Sequence, residues 1–176
     1  MKICVFLGSK SGNKPIFKSK ILELGTWIAK NGHTLIFGGS KVGLMGELAV
    51  QVKSEGGKVI GIEPEMFDNN EVALKDVDEY IVVKTFSERK DMLMELSDVF
   101  IMFPGGMGTL EEFSQIASMK NMGVSDKKVF VYNIDGYYEN LKQQLDIMSE
   151  NDFYSKEKNE EIKFITNLNE LNKFLN

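Results

Sequence analysis

Short, unbroken apolar runs recur along this chain, and a longer amphipathic stretch separates each run from the next. Ile3–Leu7, Thr34–Phe37, Lys58–Ile62, Tyr80–Val83, Val99–Phe103, Val129–Asn133 and a short run near Lys163–Thr166 read as strands. Strands that stay apolar without alternating are buried on both faces, as in a parallel sheet. Ile16–Lys30, Gly43 to about Glu55, Ser87–Leu96, Thr109 to about Met122, Tyr137–Ser149 and Leu168–Leu175 read as helices, with Asn31-Gly32 and Gly56-Gly57 as stops. Pro64 to about Asp78 is polar, acidic and without a period, and reads as a loop. The alternation predicts an α/β protein, a Rossmann-like doubly wound parallel sheet flanked by helices on both faces. No internal repeat or linker interrupts it, so residues 1–176 are read as one domain.

In an open α/β sheet, ligands bind outside the carboxyl ends of the strands. Three glycine clusters fall at that edge: Gly8-Ser9, Gly38-Gly39 and Gly105-Gly106-Met107-Gly108-Thr109. The third directly precedes a helix, where free N–H groups and the helix dipole make an anion site. Thr109 is read as a helix cap or a hydroxyl donor to phosphate. Two better-known nucleotide motifs fail. Gly8–Pro15 has Asn13 where a P-loop needs its second glycine, and no Ser or Thr follows Lys14. A dinucleotide fingerprint would need a third glycine where Glu111 stands.

Glu111 and Glu112 are read as lying in the first turn of that helix. Adjacent helix positions point about 100° apart, so only one of them can face a given ligand. Such a carboxylate could accept hydrogen bonds from ribose hydroxyls and stabilise an oxocarbenium-like transition state. Arg89 is the chain's only arginine. Its planar fork suits bidentate recognition of phosphate or carboxylate better than lysine does, and its role is read as orienting the phosphate or polarising the leaving base. No residue stands out as the acid that protonates that base. His33 and Asp98 read as turn residues, and the Glu63–Glu79 segment as a solvated loop, with a base-pocket wall or a lid as the alternative.

Composition narrows the partners. The net charge is −5 and no lysine-arginine block tracks a nucleic-acid backbone, so free DNA or RNA is not expected as a partner. One histidine and one cysteine provide no zinc-ligand spacing. Cys4, in an apolar run with no signal peptide ahead of it, points to a reducing cytoplasm. No run approaches the ~20 apolar residues that span a membrane.

Pro104-Gly105-Gly106-Met107-Gly108-Thr109-Leu110-Glu111-Glu112 resembles the signature PGGxGTxxE of the LONELY GUY (LOG) proteins, which are often mislabelled lysine decarboxylases. Glu88-Arg89-Lys90 with Ser97–Ile101, the Gly38–Gly46 block and Gly136-Tyr137-Tyr138 resemble further family segments. The resemblance implies hydrolysis of the N-glycosidic bond of a purine nucleoside 5′-monophosphate, a cytokinin riboside monophosphate or AMP, to free base and ribose 5-phosphate. By motif matching it implies Arg89 and Glu112 as the catalytic pair. It implies Gly105, Gly106, Met107, Gly108, Thr109, Leu110, Glu111 and Lys90 as the substrate cradle, with Glu71 and Ser118 as further contacts. It also implies no cofactor, no metal and a homodimer with sites near the subunit interface. The chain departs from the family where Phe86-Ser87 replace Met-His, Met107 a tyrosine, Ser40 a glycine and Ser125 a histidine. A non-catalytic nucleotide or phospho-ligand carrier of the same fold is the alternative.

Overall fold

The computed structural model of the chain describes residues 1–68 and 73–175. Its elements in chain order are β1 (Lys2–Phe6), α1 (Pro15–Lys30), β2 (Thr34–Phe37), α2 (Gly43–Ser54), β3 (Lys58–Pro64), α3 (Glu65–Asp68), β4 (Glu79–Val83), α4 (Phe86–Leu96) and β5 (Val99–Met102). They continue with α5 (Met107–Asn121), β6 (Lys128–Tyr132), a 3-10 turn (Ile134–Gly136), α6 (Glu139–Glu150), α7 (Lys156–Glu161), β7 (Ile162–Ile165) and α8 (Leu168–Leu175).

The strands of the described residues form one sheet in the order β4-β3-β2-β1-β5-β6-β7. Every neighbouring pair is parallel. Successive side chains of β1 therefore feed opposite faces. Ile3, Val5 and Leu7 pack with α1, α2 and Leu171 of α8 on one face. Cys4 and Phe6 pack with Leu93 of α4, Phe113 and Ile116 of α5 and Leu145 of α6 on the other. This is the doubly wound α/β arrangement that the apolar runs predict. No helix among the described residues is long and apolar enough to cross a membrane.

The winding direction reverses between β1 and β5. Their carboxyl ends leave a crevice there, the place where such sheets hold ligands. Phe103 N donates to Phe6 O (2.8 Å) and Gly8 N to Pro104 O (3.3 Å), so the loops after the two strands leave the sheet side by side.

Several elements differ from the sequence reading. β3 runs on to Pro64 and is followed by α3, inside the stretch read as a loop. α5 starts at Met107 rather than Thr109. α7 has no apolar face to betray it; Ser155 caps it by accepting from Lys158 N.

Candidate active site

The turn from β5 into α5 presents bare main chain. Gly106 is the N-cap of α5 and no side chain caps the helix. The amides of Met107, Gly108 and Thr109 therefore fall among the unpaired donors of a helix start, an anion-binding arrangement. A β-carbon on Gly106 or Gly108 would meet nothing within 4 Å, so no neighbouring side chain plugs the turn there. Gly105 is different. A β-carbon on it would collide with Thr109 Oγ1 and with the backbone N of Gly8, so the close approach of those groups requires glycine. Tyr137 donates to Gly105 O (2.7 Å) and Tyr138 to Phe103 O (2.9 Å), which satisfies these two carbonyls of the turn.

Arg89 reaches this turn from α4. Thr85 caps α4 by accepting from Glu88 N, and Glu88 reaches back to accept from Lys84 N, so the helix start is fixed from both sides. Arg89 Nε donates to Ile62 O (3.1 Å) and Nη1 to Glu112 Oε1 (3.1 Å). The two side chains are only 11% and 9% exposed. Burial pushes the Glu112 carboxyl above the usual carboxylate range, and the Arg89 guanidinium pulls against that rise. Two of the guanidinium's five N–H donors are used in these bonds, leaving donors for a ligand.

Gly38 and Gly39 make room for these groups. A β-carbon on Gly38 would overlap the Arg89 guanidinium, and one on Gly39, whose φ is +83°, would overlap Glu63 Oε2. Glu63, near the end of β3, is 3% exposed. Burial pushes its carboxyl up to about 7; nearby Asp68 adds to the rise and Arg89 opposes it.

A cleft of about 1040 Å³ joins these parts. Gly8, Ser9, Gly38, Arg89, Gly105, Gly106, Met107, Gly108, Thr109 and Glu112 line it. Other residues expected at the site stand elsewhere. Gly39 lies behind Glu63 rather than on the wall, because its missing side chain is the space that Glu63 fills. Leu110 offers a ligand neither group. Its side chain packs into the core beside Phe113, and its N–H donates to Gly106 O (3.1 Å). Glu111 and Glu112 occupy the second turn of α5, not the first, because the helix begins early. Glu111 faces outward and pairs with Lys90 (2.6 Å), so both lie outside the cleft of one chain. Ser118, two turns beyond Glu111 on the same face, is exposed and also outside it. Thr109 is buried inside the first turn of α5 and does not cap it. Glu71 lies outside the described residues.

Several wall residues lie beyond those the sequence singles out. Glu63 opens the acidic segment whose alternative reading is a base-pocket wall, Met45 lies in the matched Gly38–Gly46 block and Phe86 at a departure from the family pattern, while Phe67 carries no signal beyond its apolar character. Tyr137, present in a matched segment, could have been found from it. Among the described residues, no three His, Cys, Asp or Glu side chains gather to hold a metal ion.

A family profile described as "Possible lysine decarboxylase" matches residues 45–175. The chain is 38% identical over 154 residues to the cytokinin riboside 5′-monophosphate phosphoribohydrolase LOG1 of Arabidopsis thaliana, covering 88% of this chain and 72% of that one. It is 39% identical over 140 residues to a probable enzyme of the same name, LOGL1 of Oryza sativa subsp. japonica, covering 80% of this chain but only 63% of that one. Among solved structures it resembles a molybdenum cofactor carrier protein of Chlamydomonas reinhardtii, with a TM-score of 0.73, 22% identity and coverage of 99% and 94%. It also resembles the molybdenum cofactor binding protein of Rippkaea orientalis, with a TM-score of 0.71, 24% identity and the same coverage. At those identities the structural likeness speaks for the fold alone.

Proposed function

This chain belongs to the LOG family, and we propose that it hydrolyses the N-glycosidic bond of a purine nucleoside 5′-monophosphate, releasing the base and ribose 5-phosphate. The observation that carries this reading is the buried Arg89–Glu112 pair on the wall of the same cleft as the uncapped start of α5. A carrier needs the second feature but not the first.

The 5′-phosphate sits on the amides of Met107–Thr109 with the Thr109 hydroxyl beside them. That places the sugar next to Glu112, whose carboxylate stabilises the cation developing at C1′ and accepts a proton from the attacking water. Arg89 keeps Glu112 in place and directs its remaining N–H donors toward the nucleotide. The relatives' names make a cytokinin riboside monophosphate or AMP the substrate to try first.

The working unit in this reading is a homodimer. Its support is the family resemblance, together with the outward placement of Lys90, Glu111 and Ser118, which a second copy could bring to a site. No nucleic acid takes part, and the cytoplasm is the expected location.

The test is direct. Incubation of the protein with AMP should yield adenine and ribose 5-phosphate, and Glu112→Gln or Arg89→Ala should each abolish the release. Full turnover in either variant rejects the assignment. AMP that is bound and recovered intact from the wild type makes the protein a carrier.

A further inference from the structure

The reaction above lacks one component. A purine leaves poorly as an anion, so breaking its bond to C1′ calls for a proton delivered to the base. Glu112 is engaged by Arg89 on the sugar side. Tyr137 already donates its hydroxyl hydrogen to Gly105 O. Among the described residues, Glu63 is the other carboxyl on the cleft wall.

Burial raises both carboxyls, but Glu63 differs from Glu112 in its pairing. Glu63 forms no salt bridge in the described chain, and its Oε2 is buried without a hydrogen-bond partner. A carboxyl in that position is costly to ionise and stable as the neutral acid. Its place is built for it: Gly39 vacates the volume that Oε2 occupies, and the preceding carbonyl, Ile62 O, is tied to Arg89 Nε at 3.1 Å. Arg89 thus stands between the two carboxyl-bearing elements. Around Glu63 the cleft wall turns apolar, with Pro64, Phe67 and Phe86. The two phenylalanine rings meet edge to face, 5.6 Å between centroids. This is a wall for a flat heterocycle, and Arg89, bonded to both Ile62 O and Glu112, links it to the carboxyl on α5.

We propose that Glu63 is the catalytic acid that protonates the departing base. The inference rests on the phosphoribohydrolase reading. The Glu63 proton passes to a purine ring nitrogen as the bond from C1′ to N9 breaks, and the bonding pair stays with the base. Water adds its oxygen to C1′ and gives a proton to the Glu112 carboxylate. Exchange with solvent then resets both carboxyls, and the sum is nucleotide plus water to base plus ribose 5-phosphate. Among the described residues, the charged and titratable groups that face Glu63 are Arg89 from α4, Asp68 from α3 and Tyr80 from β4. With its titration held near 7, a substantial fraction of Glu63 carries the proton at neutral pH.

The experiment compares wild type and Glu63→Gln on two nucleotides across pH. AMP needs its base protonated; 7-methylguanosine 5′-monophosphate carries a cationic base that leaves neutral without a proton. The expected result is a loss of at least about 100-fold in kcat on AMP with KM little changed, and activity on the methylated nucleotide within about threefold of wild type. The wild-type decline in kcat on AMP above about pH 7 should vanish in the variant. Equal losses on both nucleotides, no loss on AMP, or an unchanged alkaline limb would each overturn the assignment. Wild-type protein that releases base from neither nucleotide rejects the underlying hydrolase reading and this proposal with it. Circular dichroism and AMP binding by the variant separate a missing proton from a missing fold.

Discussion

Arg89 Nη1 lies 3.1 Å from Glu112 Oε1, and a third group, the carbonyl of Ile62, holds the same guanidinium from its Nε. One side chain thereby ties α4, α5 and β3 together in the wall of the cleft. Lysine cannot make this three-way connection, because it offers a point charge in place of a fork. Arg89→Lys should therefore stay at least about 100-fold below wild type in kcat, the scale on which one preorganised electrostatic contact acts. Steady-state kinetics on AMP, at saturating nucleotide, check this.

Arg89→Ala should destabilise the fold by less than the 3–5 kcal/mol or so usual for orphaning a buried charge. Glu112 is already pushed upward by burial, so it can take a proton once its partner is gone. Urea unfolding at pH 6 and pH 8 should show a larger penalty at the higher pH, where neutralising the carboxyl costs more.

The glycines of the β5–α5 turn should separate folding from binding. Gly105→Ala drives a β-carbon into Thr109 and the main chain of Gly8, and should cost about 1–3 kcal/mol. Gly106→Ala meets no neighbour, so its melting temperature should stay near wild type while KM for the nucleotide rises, because the added methyl projects beside the amides that hold phosphate. Calorimetry and kinetics on the two variants check the split.

Glu63 makes stability depend on pH in a direction opposite to that of most carboxylates. Its folded-state value of about 7 lies above the ordinary 4.5. Its favourable contribution is therefore fully present below about 4.5 and is lost as pH rises through about 7. Glu63→Gln, which cannot ionise, should match wild type near pH 4.5 and exceed it at pH 8, by up to roughly 3 kcal/mol. Paired thermal melts across that interval check it, independently of any activity.

Light scattering in solution should give the mass of two chains. If a second copy supplies Lys90 and Glu111, then Lys90→Ala should weaken nucleotide binding in the dimer even though the residue lies outside the cleft of its own chain. Unchanged binding would confine the site to one chain.

The sheet is legible because its strands are buried on both sides and survive as bare apolar runs such as Val99–Met102. α7 is not legible. Its sequence Lys-Glu-Lys-Asn-Glu-Glu has no apolar period, and it is held by the Ser155 cap and by Glu161, which pairs with both Lys120 and Lys158. The phosphate turn is readable from glycines and a helix start, both local features. The Arg89–Glu112 contact joins residues far apart in the chain, so only the motif match points to it. The alternative of a base-pocket wall reaches Glu63, but its burial is not legible, because a charged residue before a proline looks like the start of a loop. It is buried by its neighbours: continuing the β2–β3 register past Phe37↔Gly61 sets Gly39 beside it, and nothing local to Glu63 reveals that.

The volume left empty at Gly38 binds two distant positions into one inherited unit. A methyl group there would overlap the end of the flexible Arg89 side chain, so a lineage that changes residue 38 must also let its guanidinium move. Once that arginine is lost, however, the constraint lifts and alanine or serine becomes free to appear. Alanine or serine at residue 38 of a related chain would thus signal that its arginine has moved or gone, whereas glycine there is silent.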